Sequence, residues 1–118
     1  MKVLLVNGSP HEKGCTYTAL AEVADVLEKQ GIETEILHIG NKPISGCLGC
    51  HACMGKGRCF INDVVNEFLD KAVEADGFVF GSPVHYAAAS GMLTSFMDRA
   101  FYASKGLLAY KPAAAVVS

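Results

Sequence analysis

The sequence predicts an α/β fold in which a parallel sheet has helices packed on both of its faces. Four short segments rich in apolar residues are typical of strands, and the first is a continuous apolar run, as in strands buried on both faces. Segments with apolar residues at helical spacing lie between them. Strands that alternate with helices form a parallel sheet with right-handed crossovers. The 118 residues suffice for one domain, residues 1–118, and not for two.

The predicted elements alternate between strand and helix. In chain order they are a strand at residues 2–6, a helix from Thr16 to Gln30, a strand at 33–39, a helix capped by Asn62 or Asp63, a strand at 77–80, a helix from about Ala88 to Ala103 and a strand at 113–117. The first helix has an apolar face that includes Leu20, Val23 and Leu27, and Gly31 ends it.

A cysteine-rich loop at about residues 40–62 interrupts this alternation. The segment contains five glycines, one proline and four cysteines, and its apolar residues show no period. Long loops without secondary structure in compact domains are usually functional or disordered.

The overall charge excludes some partners. A net charge of −2, from 10 basic and 12 acidic residues, provides no basic field for nucleic acid or an anionic membrane. No apolar run approaches the ~18 residues of a membrane span, and the first residues do not form a signal peptide. We therefore expect a soluble cytoplasmic protein. In that reducing compartment, metal or redox roles are favoured over structural disulfides for the five cysteines.

Two loops are expected to meet at one edge of the sheet. The expected strand order, 2-1-3-4, places strand one beside strand three at the switch point of a doubly wound sheet, where ligands bind beyond the carboxyl ends of the strands. The loops at that position are Gly8–Thr16 and Gly81–Tyr86, and both contain the tripeptide Gly-Ser-Pro.

The loop after strand one has the features of a phosphate site. A helix start offers free backbone N–H groups and a partial positive charge, and nearby hydroxyls can add donors. A nucleotide triphosphate loop is excluded, because five residues rather than four separate Gly8 from Gly14, and Cys15 follows where that motif has Lys. The alternative is a plain strand-to-helix turn with an N-cap threonine.

Both loops resemble signatures of the NADPH-dependent FMN reductase family, a branch of the flavodoxin-like folds. The matching positions are Gly8-Ser9-Pro10, Gly14, Thr16 and Leu20 in the first signature, and Gly81-Ser82-Pro83-Val84-His85-Tyr86, Ser90-Gly91-Met92, Phe96 and Asp98-Arg99 in the second. The similarity runs over the whole chain. Cys15 stands where many relatives have Asn, and His85 where many have a second Tyr.

The resemblance implies FMN as cofactor and NAD(P)H as co-substrate. The residues implied for the FMN phosphate are Ser9, His11, Gly14, Cys15, Thr16 and Thr18. The residues implied for the flavin ring are Pro83, Val84, His85 and Tyr86, with Ser118 at the start of a loop that closes over it. The alternative for His85 and Tyr86 is a turn with two surface aromatics. For Asp98 and Arg99 a helix-end ion pair or dimer contact is favoured over catalysis. The chemistry belongs to the flavin, and no catalytic side chain is named.

Four cysteines form a second candidate site. Cys47, Cys50, Cys53 and Cys59 are separated by gaps of two, two and five residues. Four thiolates at short gaps complete a four-iron cluster in bacterial ferredoxins. The spacing resembles the compact cysteine motif of the iron–sulfur flavoproteins, which implies a [4Fe–4S] cluster beside FMN. A zinc site and free or paired thiols are the alternatives.

Three functions follow. The leading one is an FMN-dependent oxidoreductase that passes electrons from NAD(P)H to a quinone, a flavin or another small acceptor. The second is an iron–sulfur flavoprotein that carries electrons to and from a redox protein. The third is a thiol-based redox-sensing module. The resemblance also implies a homo-oligomer.

The end of the sequence predicts an incomplete sheet. Ser118 follows strand four directly, whereas a doubly wound domain of this order has a fifth strand and a closing helix. The apolar strand at 113–117 would then be an exposed edge that invites pairing. We expect the chain to be a fragment of a longer protein, or to complete its sheet with a second copy.

Overall fold

A computed structural model describes all residues, Met1–Ser118. It contains the seven predicted elements: β1 (Lys2–Asn7), α1 (Cys15–Lys29), β2 (Glu33–His38), α2 (Val64–Ala72), β3 (Gly77–Ser82), α3 (Gly91–Ala103) and β4 (Ala113–Val117). None of the helices is both long and apolar enough to cross a membrane.

The third helix begins three residues later than the sequence predicts. It starts at Gly91, not at about Ala88, because Ser90 caps it by accepting a hydrogen bond from the Leu93 amide. Ala87 has a left-handed backbone with φ of 57°, which does not continue into a helix. The residues before the cap therefore lengthen the second loop.

The sheet has the predicted order, β2-β1-β3-β4, and every pair of strands is parallel. Asn7, at the end of β1, is in register with His38 of β2 and with Gly81 of β3. The carboxyl ends of these strands are therefore level, and the loops that follow them leave one edge of the sheet together.

The core lies on both faces of the sheet. Successive β1 side chains point to opposite faces, so Leu4 packs with the larger cluster and Leu5 with the smaller one. The larger cluster lies under α2 and α3, and its centre is Phe68, whose ring centroid is 5.1 Å from that of Phe96. The smaller cluster contains Leu20 of α1. Helices thus cover both faces, as predicted.

The strand β4 forms an exposed edge of the sheet. It pairs only with β3, four of its five residues are exposed, and Val117 retains 69% of its accessible surface. An uncharged, apolar edge strand presents unpaired backbone groups to other strands. The expectation of an uncovered sheet edge is confirmed.

Two glycines allow the ends of β1 and β3 to approach each other. A Cβ on Gly8 would lie 2.9 Å from the Gly81 carbonyl oxygen. A Cβ on Gly81 would lie 2.9 Å from side-chain carbons of both Thr16 and Leu20 of α1. These separations are too short for any side chain, so the two Gly-Ser-Pro turns need glycine for space.

Replacing Gly81 by Ala should therefore lower the free energy of unfolding by about 1–3 kcal/mol, the usual effect of overpacking. The matched control is Gly91→Ala, because a Cβ added at this helical position would meet no atom within 4 Å. That control should leave stability unchanged or raise it by up to about 1 kcal/mol. Urea unfolding followed by circular dichroism measures both, and equal stability of the two variants would contradict the close approach.

Candidate functional site

Hydrogen bonds join the two loops at the carboxyl edge of the sheet. The Gly8 amide donates to the Gly81 carbonyl at 2.9 Å. The Ser90 hydroxyl donates to the Gly8 carbonyl at 2.8 Å, and the Ser90 amide donates to the Ser82 hydroxyl at 2.8 Å. Ser90 is buried, so these bonds are shielded from water. The loops expected to form the site are brought together by the first turn of α3.

The helix α1 begins without a side-chain cap. In α2 and α3 the cap residues, Asp63 and Ser90, accept hydrogen bonds from first-turn amides. In α1 the cap position is Gly14, which has no side chain, and no acidic residue lies in the first turn. The first-turn N–H groups therefore remain open toward the edge of the sheet, where the helix dipole favours an anion. The alternative of an N-cap threonine is wrong.

The first loop is held in shape by side chains at the ends of β1 and β2. Asn7 accepts a hydrogen bond from the Ser9 amide at 3.0 Å and donates one to the Glu12 carbonyl at 3.1 Å. The Ser9 hydroxyl accepts from the His11 amide at 3.1 Å. His38 Nε2 donates to the Ser9 carbonyl at 2.7 Å. These hydrogen bonds fix the conformation of the first loop without a bound ligand.

Asn7 and His38 hold the first loop in place, and the sequence did not indicate either role. A polar residue closing an otherwise apolar strand was the available signal for Asn7. His38 gave no such signal, because its role depends on the register between β1 and β2.

The residues implied for the phosphate fall into two groups. Ser9 and Thr16 are buried, whereas His11, Cys15 and Thr18 are exposed around the helix start. The Thr16 hydroxyl lies 2.7 Å from the Ser118 hydroxyl. The Thr16 side chain therefore faces the protein, and its hydroxyl contacts the residue that follows β4.

Ser118 lies at the same edge of the sheet. Its amide donates to the Ser82 carbonyl at 3.1 Å, and its hydroxyl contacts the start of α1. The structure therefore brings Ser118 next to both loops, as the resemblance implies.

The second loop presents exposed side chains. Pro83 is partly buried, and Val84 forms an antiparallel bridge with Ala89 that closes the loop. His85 and Tyr86 are exposed, and Tyr86 retains 91% of its accessible surface. Both aromatic side chains are therefore free to contact a ligand. The alternative interpretation, a turn with two surface aromatics, has the same geometry.

The four cysteines of the long loop line one cavity. Cys47 and Cys50 are exposed, and Cys53 and Cys59 are partly buried. All cysteines of the chain are free thiols in the structure. Most of the other side chains around the cavity are apolar, and Arg99 reaches it from α3. The four cysteines that the spacing groups together therefore lie around one cavity.

The cysteine side chains do not converge on the position of a single ion. No group of three or more His, Cys, Asp or Glu side chains converges closely enough to hold one metal ion. A zinc ion would need its thiolates at about 2.3 Å from one point. In a four-iron cluster the four thiolates surround a larger body. Four thiols spread around one cavity are the donor set for such a body.

Arg99 is buried, and its guanidinium forms an ion pair with Asp63 through two bonds of 2.8 Å each. Burial is the strongest single influence on the pKa of Arg99 and lowers it, but the hydrogen bonds and charge interactions with Asp63 and Cys59 together outweigh burial, so the pKa lies above its ordinary value. The expected helix-end ion pair is present for Arg99, with Asp63 at the start of α2 as its partner. The alternative of a dimer contact does not suit a side chain that is 1% exposed.

The whole chain, residues 1–118, matches the family model described as NADPH-dependent FMN reductase. The chain belongs to the NADPH-dependent FMN reductase family. Within the family, its similarity to iron–sulfur flavoproteins is clear. It is 40% identical over 99 residues to one from Methanocaldococcus jannaschii, covering 84% of this chain and 51% of that protein. It is 37% identical over 106 residues to one from Archaeoglobus fulgidus, covering 90% of this chain and 52% of that protein.

A solved structure of the same fold is the NAD(P)H:quinone oxidoreductase from Methanothermobacter marburgensis. The TM-score is 0.72 at 17% identity, over 99% of this chain and 64% of that one. The chain spans about half the length of the curated relatives it matches. The predicted flavodoxin-like fold, the family and the resemblance to iron–sulfur flavoproteins are confirmed. The roles of the individual site residues stay predictions.

Proposed function

We propose that this member of the FMN reductase family is an oxidoreductase that passes electrons from NAD(P)H through bound FMN to an acceptor such as a quinone, a flavin or another small electron acceptor. The observation that carries the proposal is the uncapped start of α1 at the edge where β1 and β3 end. An uncapped helix start favours an anion, and the family is defined by FMN chemistry, so both support a phosphate site here.

The first-turn amides of α1 would hold the FMN phosphate. The amides of Cys15, Thr16 and Tyr17 have no side-chain cap, and Gly14 has no side chain that could cover them. Around them, Ser9 keeps the loop in shape through its bond to His11, and the Thr18 hydroxyl donates to the Gly14 carbonyl at 3.1 Å. This order allows the phosphate to bind without rearranging the loop.

The second loop would frame the flavin ring. Pro83 and Val84 offer an apolar wall and backbone groups, and His85 and Tyr86 offer exposed ring faces. Bound FMN supplies the redox chemistry, by accepting hydride and passing electrons on. The protein's part is to orient the ring, to tune it with nearby amides and to exclude water.

A second candidate function is an electron carrier that uses FMN and an iron–sulfur cluster. Two observations favour it: Cys47, Cys50, Cys53 and Cys59 line one cavity, and relatives up to 40% identical are named iron–sulfur flavoproteins. When bound, such a cluster exchanges single electrons. Protein without iron would instead favour a thiol-based redox-sensing module.

The proposal also covers the domain organisation, the cellular location and the partners of the protein. We propose that residues 1–118 act as one FMN-binding domain with a cysteine-rich loop at about 40–62. A cytoplasmic location fits the free thiols. A homo-oligomer stays a prediction from the family resemblance, and a small-molecule acceptor or a redox protein fits the chemistry.

Cys15→Asp provides the sharpest test of the phosphate site. Cys15 is exposed at the first position of α1, whereas Thr16 is buried and any charge there would disturb packing. A carboxylate at residue 15 should weaken FMN binding by at least about tenfold, since two like charges ~4 Å apart repel by roughly 4 kcal/mol near a protein surface. The same carboxylate should stabilise the free protein by about 0.3–1 kcal/mol through the helix dipole.

Isothermal titration calorimetry measures the affinity, and thermal unfolding measures the stability. Cys15→Asn is the matched control, because it has nearly the same shape without the charge, and it should bind FMN as the unchanged chain does. Wild-type affinity in the aspartate variant would contradict the assignment.

Iron analysis tests the second candidate. After anaerobic reconstitution the protein should contain about four irons per chain, held by four thiolates. Cys53→Ser should lower the iron content, whereas Cys15→Ser, which removes the one cysteine outside the cavity, should not. An iron content near zero in the unchanged chain would exclude the cluster and leave the FMN site standing.

A further inference from the structure

We propose that Arg99 is a positioning residue for the cysteine cavity: it fixes the Cys59 sulfur with a charged hydrogen bond and thereby raises the reduction potential of the cluster held there. The inference rests on the proposed cluster. It concerns this chain's own hydrogen-bond network, which is present before any cluster binds.

Every N–H group of the Arg99 guanidinium has a partner. Nη1 donates to Asp63 at 2.8 Å and to the Ser45 carbonyl at 3.3 Å. Nη2 donates to Asp63 at 2.8 Å and to the Ile61 carbonyl at 3.0 Å. The fifth donor, Nε, points to Cys59 Sγ at 3.4 Å.

The direction of the bond to sulfur is set by the other four. The guanidinium is planar, and its two bonds to one carboxylate fix that plane. Asp63 is fixed in turn, because its side chain caps α2 by accepting from the Val65 amide. The Nε–H group of Arg99 therefore points toward Cys59 without depending on the sulfur itself.

Cys59 is also the most firmly anchored cysteine of the four. The buried Asn66 side chain accepts from the Cys59 amide at 2.8 Å and donates to the Cys59 carbonyl at 3.0 Å. Cys47 and Cys50, in contrast, lie in an exposed stretch of loop. One corner of the cavity is thus preformed, and the other cysteines can adjust around it.

A hydrogen bond from a buried guanidinium at this corner affects the reduction potential of the cluster. Reduction adds an electron, and hydrogen bonds to the ligating sulfurs raise the reduction potential of iron–sulfur clusters. Arg99 is 1% exposed, so the solvent screens its charge little. Asp63 compensates much of the positive charge at a distance, so it is chiefly the Nε–H bond to Cys59 that favours the reduced state.

Arg58 provides the matched control. It precedes Cys59 directly and has the same charge, but it forms a solvent-exposed ion pair with Asp70. Solvent screens such a charge strongly. The chain contains no arginine other than Arg58 and Arg99.

The test is a redox titration of the anaerobically reconstituted protein, followed by electron paramagnetic resonance. Arg99→Gln should shift the ratio of oxidised to reduced cluster at least tenfold toward the oxidised form. For a one-electron couple this is a midpoint reduction potential about 59 mV lower than that of wild type. Arg99→Lys keeps the charge without the Nε–H bond and should fall between Arg99→Gln and wild type. Arg58→Gln should stay close to wild type.

A second measurement needs no change at Arg99. In Arg58→Gln protein grown with ¹⁵N-arginine, the only labelled residue is Arg99, and pulsed resonance of the reduced cluster should show a ¹⁵N coupling. Absence of that coupling overturns the inference even if the Arg99 variants fail to fold. Equal potentials in wild type, Arg99→Gln and Arg99→Lys overturn it as well. Protein that holds no iron overturns the proposed cluster and the inference together, which iron analysis shows directly.

Discussion

The site depends on the close approach of β1 and β3 where both strands end. The Gly8 amide donates to the Gly81 carbonyl across a gap in which neither residue has room for a Cβ. This contact places the two Gly-Ser-Pro turns side by side. It also brings the start of α1 over Gly81, so that the uncapped amides of that helix open onto the same edge as the second loop. A side chain at either glycine would separate the two loops that form the candidate site.

The helix α3 connects this edge to the cysteine cavity. Its cap residue, Ser90, bonds to Gly8 and Ser82 at the cofactor edge, and Arg99 bonds to Cys59 further along. At a rise of 1.5 Å per residue, these two residues lie roughly 14 Å apart along the helix axis. Two candidate redox sites are therefore attached to one rigid element, which fixes their separation.

Much of the fold could be predicted because each element has a local signal. The apolar run of β1 and the helical period of α1 give the element types, and their alternation gives the parallel sheet. The start of α3 could not be placed, since it depends on the Ser90 cap and on the left-handed Ala87. The paired loops were predictable because the strand order brings them together.

The remaining parts of the site depend on contacts between distant residues. Arg99 and Asp63 lie 36 positions apart, and no periodic pattern links them. The burial of Thr16 under Gly81 and the bond from His38 to Ser9 follow from packing and register, which local sequence does not show. The spacing of the cysteines indicated one shared site, but the residues that hold Cys59 in place became visible only in the folded chain.

A comparison of FMN with riboflavin tests most directly whether the start of α1 binds the FMN phosphate. The two ligands share the ring system and differ by the phosphate. Charged hydrogen bonds contribute about 1.5–3 kcal/mol each, so FMN should bind on the order of a hundredfold more tightly than riboflavin. FMN alone should shift the amide resonances of Cys15 and Thr16. Equal affinity for the two ligands, with these amides unperturbed, would contradict the account.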